Sequence, residues 1–255
     1  MRVLFIGDIV GRPGREAVRT FLPQLAKEYE VDFVVANGEN AAGGRGITKD
    51  IAHELFDRGI DFLTMGNHTW DQKELETFID DEPYLIRPAN YPLGVPGKGY
   101  GVISKNGKKL GVLNLAGRAF LAPLENPFGM AIGIINQMRR QTPAILVDFH
   151  AEATSEKVAM GFFLNGKVSA VVGTHTHIQT ADDRILDQGT AYITDVGMTG
   201  PRDSILGVKK DTIIKSFLTQ MPFRIEVASG EAQLNAVMIQ IDDQGRATAI
   251  ERLQL

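Results

Sequence analysis

Four of the chain's five histidines, His68, His150, His175 and His177, stand directly after runs of apolar residues, and the acids Asp8 and Glu39 and the amides Asn40 and Asn67 stand at similar places. Loops that follow buried strands are where an α/β protein assembles its chemistry. Imidazole both ligates metals and carries protons near neutral pH. The polar segments that end the apolar runs are Gly7-Asp8, Asn37-Gly38-Glu39-Asn40, Gly66-Asn67-His68, Asp148-Phe149-His150 and Gly173-Thr174-His175-Thr176-His177. A pair of hard divalent cations needs carboxylates, imidazoles and carbonyl oxygens converging from several loops, with one carboxylate shared between ions about 3.5–4 Å apart. Asp8, Glu39, Asn40, Asn67, His150, His175 and His177 supply that set.

The elements that must position these residues are legible as patterns. Apolar runs at 3–6, 33–36, 62–65, 112–115, 145–149, 168–172 and 191–193 read as strands buried on both faces. Helical spacing fills 15–30, 48–58, 71–80, 126–140 and 154–165, with Thr48, Asp71 and Thr154 as N-caps and Pro23 expected to start a new turn or kink the first helix. Stretches 223–227, 233–241 and 247–253 alternate apolar and polar residues and read as antiparallel hairpin strands. Together these imply an α/β protein with mixed sheets, and no linker, repeat or charge block divides residues 1–255 into more than a single domain.

Composition narrows the function. A net charge of −4 argues against a protein that holds long nucleic acid on a basic face. With no cysteine there is no thiolate nucleophile, disulfide or zinc-thiolate site, so a metal must be held by nitrogen and oxygen. The opening segment is too short for a signal-peptide core, and no run approaches the roughly 20 apolar residues of a membrane span. The expectation is a cytoplasmic protein without a membrane.

The order Gly-Asp, Asn-Gly-Glu-Asn, Gly-Asn-His, a lone His and Gly-Thr-His-Thr-His resembles that of the calcineurin-like metallophosphoesterases. Four finer stretches, Gly7-Asp8-Ile-Val-Gly-Arg12, Asn37-Gly-Glu-Asn-Ala-Ala-Gly-Gly44, Asp148-Phe-His-Ala-Glu-Ala-Thr-Ser-Glu-Lys157 and Thr194-Asp-Val-Gly-Met-Thr-Gly-Pro201, are similar to the YmdB-like branch, bacterial phosphodiesterases associated with cyclic nucleotides. The resemblance implies a layered α/β/β/α sandwich of two mixed β-sheets flanked by helices. It also implies two divalent or mixed-valence metal ions, iron or manganese first and zinc next. Carried over by residue, Asp8, Glu39, Asn40 and His177 would hold one ion, and Glu39, Asn67, His150 and His175 the other. Two departures stand out: Val10 occupies the place of the histidine in the commoner Asp-x-His, which leaves Asn40 as its replacement, and Glu39 replaces the commoner bridging Asp.

The implied reaction is in-line hydrolysis of a small phosphodiester, such as 2',3'-cyclic AMP, by hydroxide formed from water shared between the ions. His68, which the resemblance leaves outside the ligand set, is the expected general acid for the leaving oxygen or a stabiliser of the transferring phosphoryl group. Other readings are a phosphomonoesterase or nucleotidase, a di-metal hydrolase attacking carbon, and a regulatory protein with slow or no turnover; a homo-oligomer is compatible with all of them. Other residues carry weaker signals. His53 reads as an amphipathic helix residue. The segment Gly43-Gly44-Arg45-Gly46 fails the phosphate-loop pattern and reads as a flexible turn. Trp70 and Phe120 are candidates for stacking, Asn114, Arg118 and Thr199 for substrate contact, and Asp195 for support behind a histidine.

Overall fold

Side chains of successive strand residues point to opposite faces, and where both faces carry apolar groups the strand must be covered twice. In the computed structural model, which describes residues 1–224 and 226–255, this is what the apolar runs do. The first half of the chain forms β1 (Arg2–Ile6), β2 (Asp8–Ile9), α1 (Gly11–Glu28), β3 (Phe33–Asn37), α2 (Lys49–Asp57), β4 (Phe62–Thr64), α3 (Leu75–Phe78) and β5 (Leu85–Ile86). The second half forms β6 (Tyr100–Lys105), β7 (Lys108–Ala116), α4 (Pro127–Met138), β8 (Ile145–His150), α5 (Thr154–Leu164), β9 (Ala170–Thr174), β10 (Arg184–Ile185) and β11 (Ala191–Ile193). The chain ends with β12 (Met198–Pro201), α6 (Lys210–Thr219), β13 (Ala232–Gln233), β14 (Asn235–Ile241) and β15 (Ala247–Gln254).

Two mixed sheets result, ordered β15-β14-β1-β3-β4-β5 and β10-β11-β9-β8-β7-β6. In β1, Val3 and Phe5 face the second sheet and share a core with Val112, Leu146 and Val172. Leu4 and Ile6 face the other way, onto Val18 and Leu22 of α1 and Leu55 of α2. The outer face of the second sheet, through Val147 and Phe149, packs on Ile135 and Met138 of α4 and on Met160 and Leu164 of α5. The layers are therefore helix, sheet, sheet, helix. Strands β1, β3 and β4 run parallel, as do β7, β8 and β9, so their C-terminal ends bring the polar loops together. A small third sheet pairs β12 with β2, placing Met198 opposite Asp8.

Several local expectations are corrected. The helical window at 71–80 shrinks to the single turn α3 and a 3₁₀ turn, Ile79–Asp81, and Asp71 caps no helix, since α3 begins only at Leu75 with Glu74 at its cap; the Asp71 carboxylate meets the ring of His68 instead. Thr154 is the first residue inside α5, with Ala153 at the cap, whereas Thr48 does cap α2 by accepting from the Ile51 N–H. Pro23 lies within an unbroken α1. The hairpin of β14 and β15 forms as expected, but the stretch at 223–227 builds no strand among the described residues; Val227 makes only an isolated bridge to Val208, and Ile225 lies outside them. No helix among the described residues is long and apolar enough to cross a membrane.

Candidate metal centre

The strand ends meet at one cavity of about 290 Å³, with His68, His175 and His177 on its polar wall and Val10, Val208 and Val227 among its apolar lining. Its floor is a buried nest. The Nε2 atom of His150 lies 2.9 Å from Oδ1 of Asn67, 3.2 Å from Oε1 of Glu39 and 3.0 Å from Nδ1 of His175. The ligand atoms of Glu39, His150 and His175 all fall within 4.8 Å of one another. Beside it, Oδ1 of Asp8 and Oδ1 of Asn40 are buried with no hydrogen-bond partner among the described residues, and Nε2 of His177 is 4.0 Å from that Asp8 oxygen. A buried polar atom without a partner is costly unless something absent from the polypeptide satisfies it. Oxygens and imidazole nitrogens at these two places fit hard or borderline metal cations.

The remaining nitrogen of each histidine supports the same reading, because a ligating imidazole characteristically donates its other N–H to an acceptor that fixes ring and tautomer. His150 uses Nδ1 toward the Thr174 hydroxyl at 2.9 Å, which itself donates to Asp148 at 2.7 Å. His175 uses Nε2 toward Glu152 at 2.9 Å, and His177 uses Nδ1 toward the Leu206 carbonyl at 3.1 Å. What is left is Nε2 of His150, Nδ1 of His175 and Nε2 of His177, the atoms that face the nests. Thr174, Glu152 and Asp148 all lie within motifs marked in the sequence, but no role behind a histidine is legible for them there, and the Leu206 carbonyl carries no signal at all.

Local backbone chemistry explains the approach of the loops. A Cβ on Gly66 would lie 2.4 Å from both Glu39 Oε2 and His150 Nε2, so the residue before Asn67 has to be glycine. The turn at Gly43-Gly44-Arg45-Gly46 has a specific task, since the Asn40 amide donates to the Gly44 carbonyl at 3.1 Å, which fixes the side chain and leaves its oxygen to other partners. Among the weaker candidates, His53 pairs with Glu82 at 2.6 Å on the surface, Asn114 accepts from the Met65 N–H, and Thr199 bonds the backbone of Asn235. Trp70 packs on the core beneath α1 and α2 and Phe120 is exposed; neither they nor Arg118 line the cavity.

Electrostatics separate the two nests. Burial works against charge on Glu39, but the imidazole of His150, by charge and hydrogen bond, holds its carboxyl down at about 2. Burial likewise works against a protonated His150, yet Glu39 and then Asp8 push that imidazole up to about 9. Asp8 goes the other way: its burial dominates and raises it to about 6, although His177 and His150 pull it down. Burial and the neighbouring charge of His150 lower His175 to about 3.

A helix-sheet-sheet-helix sandwich carrying two such nitrogen and oxygen nests at its strand ends is a metallophosphoesterase, a hydrolase of phosphoric esters. A model of the family described as "YmdB-like protein" matches residues 4–253, and the chain belongs to that family. The 2',3'-cyclic-nucleotide 2'-phosphodiesterase of Bacillus subtilis (strain 168) is 57% identical over 254 residues, covering 99% of this chain and 96% of that protein. The crystal structure of a novel phosphatase from Mycoplasma pneumoniae matches at a TM-score of 0.94 and 35% identity, over 100% of this chain and 93% of the other. A 5'-nucleotidase precursor from Thermus thermophilus, at 13% identity and a TM-score of 0.57 over 100% of this chain and 54% of the other, shares the fold.

Proposed function

We propose that this protein is a di-metal phosphodiesterase, acting as a single domain on 2',3'-cyclic nucleotides, the substrate class named for its Bacillus subtilis relative. The observation that carries the reading is the convergence of His150 Nε2, Asn67 Oδ1, Glu39 Oε1 and His175 Nδ1 beside the partnerless oxygens of Asp8 and Asn40. Asp8, Glu39, Asn40 and His177 would hold one ion and Glu39, Asn67, His150 and His175 the other. Bound there, the pair supplies Lewis acidity and an acidified water. Two dications against two carboxylates leave an excess charge of about +2, which suits a monoanionic diester. The ligand set has no thiolate, and iron or manganese is the proposed occupant, with zinc as the alternative. The cytoplasm is the proposed location.

The chain's own residues then divide the work. Glu39 orients more than its ligand oxygen: its Oε2 accepts the His68 N–H at 2.9 Å and so fixes the backbone that carries the acid. His68 lines the cavity with Nδ1 held by Asp71 Oδ2 at 2.9 Å, leaving Nε2 to deliver a proton to the departing sugar oxygen. The apolar wall of Val10, Val208 and Val227 excludes water from one side of the cavity.

The test is metal analysis of the purified protein, then hydrolysis assays on 2',3'-cyclic AMP, a phosphomonoester and an amide. Cyclic diester hydrolysis that falls roughly 10²–10⁴-fold in His68→Ala, with metal content unchanged, is the expected result. Preference for the monoester would point to a nucleotidase and amide hydrolysis to attack on carbon. Bound metal without turnover would leave a regulatory role, and metal lost with His68 would make that residue a ligand.

A further inference from the structure

Two of the motifs that mark the family, residues 148–157 and 194–201, contain charges that neither bind nor react in the proposed hydrolysis. Lys157 and Asp195 come from these separate segments and meet as a buried ion pair, Nζ to Oδ2 at 2.6 Å, with exposures of 1% and 0%. Fully buried Lys and Asp are rare, so a pair of them calls for a reason. The reason lies in what else the carboxylate holds. Asp195 Oδ2 accepts the N–H of Thr176 at 3.0 Å, and Oδ1 accepts the N–H of Gly197 at 2.8 Å. Thr176 sits between His175 and His177, whose φ angles of 103° and 65° lie in the left-handed region that non-glycine residues avoid. The stem of Lys157 reaches this place beneath Gly173, where a Cβ would lie 3.2 Å from its Cδ.

We infer that Lys157 and Asp195 are positioning residues for metal binding: their buried pair clamps the backbone between His175 and His177 in a strained conformation that aims one imidazole at each nest. The inference rests on the di-metal reading of the site. Unclamped, the loop relaxes to ordinary φ values and both histidines swing away, so affinity falls at the two sites together.

The experiment titrates metal-free protein with Mn²⁺ by calorimetry and compares wild type, Lys157→Met/Asp195→Asn and Lys157→Arg. The double variant removes both charges at once, and replacing a buried ion pair by neutral groups is often tolerated by the fold. The expected result is a 10–100-fold weaker Mn²⁺ affinity at both sites, the range for partners that stand behind a ligand. The thermal midpoint of the metal-free double variant stays near wild type, and Lys157→Arg recovers part of the affinity. Wild-type affinity in a folded double variant overturns the inference and leaves the pair as core packing. If the double variant does not fold, Lys157→Arg decides: a measurable loss of affinity with the metal-free melting curve preserved supports the clamp, and unchanged affinity rejects it. A wild type that takes up none of Mn²⁺, Fe²⁺ and Zn²⁺ in parallel titrations overturns the proposed function instead, so the two failures are distinct.

Discussion

The two nests of the site are built from the same kinds of atom but are prepared differently. In the deeper one, around His150, the ligand atoms already touch: Glu39, Asn67 and His175 all lie within 3.2 Å of one imidazole nitrogen. In the outer one, Asp8 and Asn40 have oxygens with no partner and the nearest imidazole nitrogens stand 4.0 Å from Asp8. The deeper nest can satisfy itself with a proton shared between Glu39 and His150, which is why Glu39 is held at about 2 and His150 at about 9. Asp8 has no comparably close cation, and burial carries it to about 6. The difference teaches that an ion entering the deeper nest must displace a proton, whereas one entering the outer nest fills unmet hydrogen-bonding capacity.

In the proposed function Glu39 would serve both nests, and its change carries the largest expected effect. Glu39→Gln keeps size and shape but removes the shared charge. Metal content is expected to fall at both sites and the rate to drop beyond the roughly 10²–10⁴-fold range of a lost general acid. Plasma emission analysis with steady-state assays checks it; a variant with full metal and full rate would remove Glu39 from the site. Asn40→Ala separates the nests. It deletes the outer oxygen, together with the amide that donates to the Gly44 carbonyl, so one ion of the pair is expected to leave with a rate loss of about 10–100-fold, while calorimetry still registers the deeper ion at near wild-type affinity. Loss of both ions would mean the nests are not independent.

The same contrast decides how much of the site is legible in the sequence. Residues that contribute side-chain atoms announce themselves, and Asp8, Glu39, Asn40, Asn67, His68, His150, His175 and His177 all arrive at one cavity or its floor. Strands buried on both faces, such as β1 and β8, are legible because an unbroken apolar run of strand length needs cover on both sides. The partners behind the histidines are not legible: the Leu206 carbonyl belongs to the backbone, and Thr174 and Glu152 are ordinary residue types until the fold brings them near. The left-handed φ angles of His175 and His177 run against local preference and exist only through tertiary contacts. Helix α6 has no counterpart among the sequence-based expectations, although Ile214, Phe217 and Leu218 recur at helical spacing, and it buries no residue. The Asn106-Gly107 turn that joins β6 to β7, with φ of 51° and 77°, is a hairpin signal that local chemistry does supply.

The pH dependence follows from the deeper nest. In metal-free protein the raised His150 value means that its stabilising contribution is complete below the ordinary 6.5 and is lost as pH rises through about 9. The depressed Glu39 value means that its contribution is present above the ordinary 4.5 and is lost as pH falls toward about 2. The melting temperature of chelator-treated protein is therefore expected to fall between pH 6.5 and 9. Metal affinity runs in the opposite direction, because His150 must shed its proton to offer Nε2. Release of one proton gives about a tenfold gain in affinity per pH unit across that window, measurable by calorimetry in buffers of different ionisation enthalpy. An affinity that is flat from about pH 7 to 9 would take His150 out of the ligand set.

The smallest effect belongs to a residue that touches neither nest. Asp71 orients His68 through Nδ1 at 2.9 Å and so fixes which ring nitrogen is left free. Arg45 stands 3.9 Å from the same carboxylate, so part of the negative charge is already offset and the side chain is partly open to solvent. Both features weaken its hold on the ring. Asp71→Asn keeps the hydrogen-bonding shape and removes the charge. We expect about a tenfold fall in kcat, one logarithmic unit or ~1.4 kcal/mol, with KM and metal content near wild type. A fall as deep as that of His68→Ala would show that the acid cannot work without its partner, and no fall would leave Asp71 a surface contact of the loop.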